Sequence, residues 1–160
     1  MDLPKRRPTR LKDYDYSSPG AYFVTICTKD KKELLSKITV GEGLCALPKS
    51  ENTAIGDVVE KAILFINNNR GVLVDKYVIM PNHIHLIIIL DDSGGGGTPP
   101  LQNIIGKFKS YTTNQFGGIL WQRSFHDHII RGEQDYKKIW EYIDTNTAKW
   151  KQDCFYNPEK

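Results

Sequence analysis

The sequence predicts an α+β domain, a small antiparallel sheet with helices packed on it. Three observations point there. Several short runs rich in β-branched and aromatic residues have strand length. Separate stretches carry the i, i+3, i+4 apolar spacing of helices. The two kinds of segment mix without the regular βαβ alternation of a parallel sheet.

In chain order, "GAYFVTICTK" follows a Pro-Gly turn and reads as a strand from about Ala21 to Thr28. "ELLSKITVGEGLCALPKS" reads as a hairpin or irregular extended pair around Gly41 and Gly43. From Thr53 the pattern turns helical. Ile55, Val58, Val59, Ala62, Ile63 and Ile66 lie on one stripe, and "NNNRG" ends the run. "VLVDKYVIM" is a second strand. After the tight break at Pro81-Asn82, "HIHLIIIL" is a third, expected antiparallel to the second. "DDSGGGGTPP" is a flexible joint. Beyond it, "TPPLQNIIGKFKSYTTNQFGG" reads as a helix with Thr98 as N-cap and Gly117 at its C-terminal end. Leu101, Ile104, Ile105, Phe108 and Thr112 form its inward stripe. "ILWQRSFHDHIIR" is extended, a candidate fourth strand, and "GEQDYKKIWEYIDTNTAKW" is a last helix.

A chain of 160 residues suits one domain, 1–160, with a basic arm over 1–18 and a tail over 146–160. At 39% hydrophobic residues it can bury a core. No apolar run reaches the length of a membrane span, and no apolar segment near Met1 reads as a secretory signal. Cys27, Cys45 and Cys154 are far apart, which argues against a disulfide framework and fits a cytoplasmic protein. The net charge of +3 says little, but Lys5, Arg6, Arg7, Arg10 and Lys12 crowd the first twelve residues. Such an arm suits phosphate contact, or equally a solvated tail.

Chemistry concentrates in "YVIMPNHIHLIIIL". Side chains alternate along a strand, so His83 and His85 share one face, roughly 6.5–7 Å apart along the chain. Two imidazoles on one face can hold one ion, provided a third ligand comes from elsewhere in the fold. A histidine-triad hydrolase would need a third histidine where Ile87 stands. Tyr111 and Gln115 form an i, i+4 pair on the helix after the joint. A tyrosine oxygen there could attack a phosphodiester, with the Gln115 carbonyl as third ligand. The same position also suits a packing tyrosine beside the apolar stripe. Lys107 and Lys109 on this helix suit a phosphate-facing surface or a solvated one, and Trp121 and Arg123 are candidate stacking and phosphate contacts. His126 and His128 form a second HxH, read as structural or DNA-facing.

"YVIMPNHIHLIII", "IIGKFKSYTTNQF", "LWQRSFHDHIIR" and the opening "RLKDYDYSSPGAYFVTICT" together resemble the REP-associated tyrosine transposases, within the single-tyrosine HUH transposases. The resemblance covers nearly the whole chain. It implies a ferredoxin-like or RRM-like antiparallel sheet with helices on one face and the histidine pair on a central strand. It implies a divalent ion, Mg2+ or Mn2+, and single-stranded or hairpin DNA as partner, with the protein acting as monomer or homodimer. By motif position, His83 and His85 match the HUH pair, Tyr111 the nucleophile and Gln115 the polar ligand. The implied activity is nicking and strand transfer through a 5′-phosphotyrosine. The alternatives are an inactive, domesticated nucleic-acid-binding module of the same fold, or a phosphoesterase acting on small nucleotides. Against the latter, the glycine run after Leu90 lacks a phosphate-cradling motif.

Overall fold

The computed structural model describes residues 10–92 and 97–158. Strand β1 spans Gly20–Cys27, and a short hairpin follows, β2 (Ser36–Thr39) with β3 (Lys49–Asn52). Helix α1 spans Ala54–Ile66, β4 Val72–Ile79, β5 His83–Leu90, α2 Leu101–Phe116, β6 His126–Ile130 and α3 Glu133–Thr145. The main sheet has the order β4-β5-β1-β6, all neighbours antiparallel. With the β2–β3 hairpin set aside, the path β1-α1-β4-β5-α2-β6 is the ferredoxin-like βαββαβ. The expected α+β sheet and its elements are therefore present.

Successive side chains of the central strands turn to opposite faces, and both faces are covered. Tyr22, Val24 and Ile26 of β1 and Ile84, Leu86 and Ile88 of β5 form one core with Val59, Ala62, Ile63 and Ile66 of α1. The predicted α2 stripe, Leu101, Ile104, Ile105, Phe108 and Thr112, is buried against the same layer. A bulge between Val74 and Lys76 changes the parity of β4. It lets Val72 and Val74 face this core from one half of the strand and Tyr77 and Ile79 from the other. Helices α1 and α2 thus share one face, as expected. Helix α3 lies against the opposite face, which the sequence reading left uncovered: its Tyr142 packs on Phe23 and His85.

Two helix ends decide how the site is held. Thr53 caps α1 by accepting from the Gly56 amide. Its hydroxyl also donates to the carbonyls of Leu34 and Leu35. The amides of Leu34 and Leu35 in turn donate to the Pro81 carbonyl, just before His83. Gly56 permits this approach, since a Cβ there would lie 2.0 Å from the Leu35 oxygen. Gly56→Ala should therefore cost about 1–3 kcal/mol, the usual range for overpacking. A thermal melt checks it, and an unchanged Tm would contradict the tight approach. At α2, Gly117 ends the helix in the left-handed region with φ 76°, as predicted. Thr98, however, is not the N-cap. Its hydroxyl donates to the Asp91 carbonyl, and the helix begins at Leu101 behind Pro100.

Candidate metal centre and its neighbouring tyrosine

His83 and His85 sit on the β5 face opposite the α1–α2 core, in register with Cys27 and Thr25. Their rings approach to 4.5 Å between centroids, closer than the rise along a strand because both lean inward. Both are fully buried beneath α3 and the following segment, where Tyr142, Trp150 and Phe155 pack on them. Burial lowers both imidazoles to about 3; for His83 the nearby Asn146 side chain opposes the shift, while for His85 the charge of His83 reinforces it. Both rings are therefore neutral at neutral pH.

The protons on His83 can be placed. Asn82 donates its Nδ2 to the Phe155 and Lys31 carbonyls, so its Oδ1 is the atom 2.9 Å from His83 Nδ1. His83 Nδ1 must then carry the hydrogen, and Nε2 keeps its lone pair. His85 Nδ1 lies 2.8 Å from Thr25 Oγ1 across the sheet. This is the arrangement of ligating histidines, one ring nitrogen oriented by an outer partner and the other free to bind. Both Nε2 atoms are buried with no hydrogen-bond partner.

Asn146, one residue past α3, faces the same space. Its Nδ2 donates to Asp153 Oδ2 at 3.0 Å, so its Oδ1 is turned away from that carboxylate and is likewise buried without a partner. Asp153 Oδ2 lies 3.9 Å from His83 Nε2. The ligand atoms of His83, His85 and Asp153 all fall within 4.8 Å of one another. Unpartnered buried polar atoms are costly, and here two imidazole nitrogens and an amide oxygen gather beside a carboxylate. That donor set fits a divalent cation. Tyr142, four residues before Asn146 on α3, has its ring 5.1 Å from His85 and its hydroxyl 3.5 Å from Asp153 Oδ2. Burial first, then the neighbouring Asp153 charge, raises its phenol to about 12.

The other expected site residues lie elsewhere. Tyr111 and Gln115 are on exposed positions of α2, in the layer on the far side of the sheet from the histidines. They cannot supply nucleophile and ligand to that pair; the i, i+4 pair that reaches it is Tyr142 and Asn146. The reason is parity. His83 and His85 point away from Ile84 and Leu86, against which α2 packs. Trp121 is buried beside Phe108 and donates Nε1 to Thr112 Oγ1, so it is a core residue and not a stacking platform. Lys109 donates to the carbonyls of Gln122, Arg123 and Ser124, holding that loop instead of facing a phosphate. Arg10 stacks over Phe125 and points toward Asp127. Lys107 and Arg123 are exposed, and Lys5, Arg6 and Arg7 lie outside the described residues. His128 pairs with Asp135 at 2.9 Å, which leaves the second HxH apart from the first. Sequence reasoning missed Asn82, Tyr142, Asn146 and Asp153. The amide four residues after Tyr142 was a usable signal, passed over because the glycine joint before α2 favoured Tyr111 and Gln115.

The buried histidines have a pH consequence. Their folded pKa values lie below the ordinary 6.5, so the unfolded chain takes up protons first as pH falls. Their contribution to stability is complete above about pH 6.5 and is lost as pH falls toward about 3. A His83→Gln/His85→Gln variant should therefore show a shallower fall of Tm with acid than the wild type. Parallel slopes below about pH 6.5 would contradict the neutral burial.

Among known proteins, no family model matches the chain. An uncharacterized protein of Haemophilus influenzae is 34% identical over 177 aligned positions, covering 94% of this chain and 93% of its own. Among solved structures, the REP-associated tyrosine transposase bound to a REP hairpin superposes with a TM-score of 0.66 at 22% identity, over 88% of this chain and 73% of that one. A candidate transposase of Deinococcus radiodurans R1 superposes with a TM-score of 0.51 at 16% identity, over 87% of this chain and 98% of its own. Among the described residues no helix is long and apolar enough to cross a membrane. The resemblance read from the sequence thus holds in three dimensions: the chain belongs to one family with the Haemophilus influenzae protein, and its fold is that of the REP-associated tyrosine transposase.

Proposed function

We propose that this protein is a metal-dependent single-strand DNA endonuclease and strand transferase of the transposase type, with Tyr142 as nucleophile. One observation carries the reading. The Tyr142 ring packs on His85, beside His83 Nε2, His85 Nε2 and Asn146 Oδ1, which are all buried without hydrogen-bond partners. Mg2+ or Mn2+ held by these three atoms, with Asp153 beside them, would polarise a phosphoryl oxygen and offset the charge that builds on it. Asn82 and Thr25 orient the two imidazoles, and Asp153 orients the Asn146 amide.

The reaction then follows from the chain's own groups. Tyr142 Oη attacks phosphorus, and its proton passes to Asp153 Oδ2, the carboxylate oxygen 3.5 Å away. The O–P bond to tyrosine forms as the P–O3′ bond breaks. The leaving 3′ oxygen takes a proton from water, and the 5′-phosphate stays on the enzyme. A phenol raised to about 12 is almost wholly protonated at neutral pH, so this base is needed for useful nucleophilicity. The fold neighbour bound to a REP hairpin supports hairpin DNA as the substrate class.

The test is adduct mapping. The protein is incubated with Mn2+ and labelled hairpin oligonucleotides bearing single-stranded flanks, denatured and digested. The label from the 3′ side of the cut should travel with the peptide that contains Tyr142. An adduct on Tyr111, or tight DNA binding with no adduct on any tyrosine, would overturn this reading; the second result favours the DNA-binding module.

A further inference from the structure

With Tyr111 freed from the chemistry, its surroundings need their own account. It lines a cavity of about 450 Å³ between α1 and α2, on the face of the sheet away from the histidines. That volume lies within the range of about 300–1,000 Å³ typical of ligand pockets. Three aromatic rings line it: Phe108 is buried at its base in α2, whereas Phe65 of α1 and Tyr111 of α2 are 69% and 52% exposed. The two exposed rings line one cavity, so they belong to one apolar surface and are not scattered side chains. Among the described residues, the ammonium groups on the lining are Lys61 and Lys107, one from each helix, and no carboxylate lines it. Asn69 and Asn103 add two amides, each able to donate and accept.

We infer that this cavity docks an unpaired nucleotide of the DNA, base against Phe65 and Tyr111 and phosphate toward Lys61 and Lys107. The inference rests on the reading of the protein as DNA-binding. The chemistry favours that occupant over an apolar peptide. Aromatic faces accept any base by stacking, the unopposed positive charge matches a phosphate, and the amides match base edges. A second contact on this face would hold single-stranded DNA apart from the scissile phosphate, so a flank could be retained while the cut end moves.

The experiment uses the full chain with EDTA, which keeps strand cleavage out of the readout. A hairpin oligonucleotide carries 5-iodouracil at one flanking unpaired position at a time, and is irradiated on the protein. The crosslink should map to the peptides containing Phe65 or Tyr111 for one narrow set of positions. The Phe65→Ala/Tyr111→Ala variant should bind about tenfold more weakly or worse, given what base stacking contributes. Lys61→Gln/Lys107→Gln should flatten the log–log salt dependence by roughly 0.7, the share of one phosphate on a single strand. Tyr111→Leu keeps the apolar bulk and isolates the aromatic face, so a loss there cannot be ascribed to folding. Wild-type affinity in the aromatic variants, with crosslinks only outside the cavity, overturns this inference and leaves the Tyr142 chemistry standing. Absence of any DNA binding by the wild type overturns both.

Discussion

Tyr142→Phe should abolish covalent capture of DNA, lowering strand cleavage by at least about 10³-fold while the protein still folds and binds. The substitution removes one oxygen. That oxygen makes a long contact, 3.5 Å to Asp153, and lies beside the Asn146 side chain, whereas the ring packs on Phe23 and His85 and is retained. Stability should therefore stay within about 0.5 kcal/mol of the wild type, as for changes that leave packing intact. A gel of denatured adduct and a thermal melt measure the two quantities together. Adduct at the wild-type level in this variant would remove Tyr142 from the chemistry. A large drop in Tm would make the result one about folding.

The second large effect concerns the ligands. Asn146→Ala should weaken Mn2+ binding by about 10- to 100-fold or more, since a ligand lost is at least as costly as the loss of its orienting partner. His85→Gln should do the same or worse. Titration of Mn2+ followed by electron paramagnetic resonance reads this directly, without any turnover. Glutamine is a better probe than alanine at His85, because the ring is fully buried and truncation would leave a cavity. Asp153→Asn separates two roles. It keeps a polar group beside the Asn146 amide but removes the proton acceptor, so Mn2+ binding should fall less than adduct formation does. Equal Mn2+ affinity in wild type and Asn146→Ala would show that the buried Oδ1 is not a ligand, leaving Asp153 as the third donor of the group.

The sequence determined a good deal alone. The apolar runs, the spacing of Ile55 to Ile66, the stripe from Leu101 to Thr112 and the glycine at 117 mark the strands and the two core helices where they occur. The HxH period places His83 and His85 on one face of β5 without any knowledge of the fold. Local spacing could not say which helix meets that face. Tyr111 with Gln115 and Tyr142 with Asn146 have the same i, i+4 geometry, and each lies beside an apolar stripe. Amphipathicity tells which side of a helix turns inward, but not which side of the sheet the helix covers. Connectivity settles that. The crossovers β1-α1-β4 and β5-α2-β6 set both helices on the Ile84 and Leu86 side. The helix after the last strand is left to cover the other side, where the histidines point. Asn82 and Asp153 were equally hidden, because their roles depend on amide orientations fixed by bonds to Phe155 and Asn146, distant in sequence or beyond the helix end. A side chain's period is written in its own segment, whereas its partners depend on how the whole chain closes around the sheet.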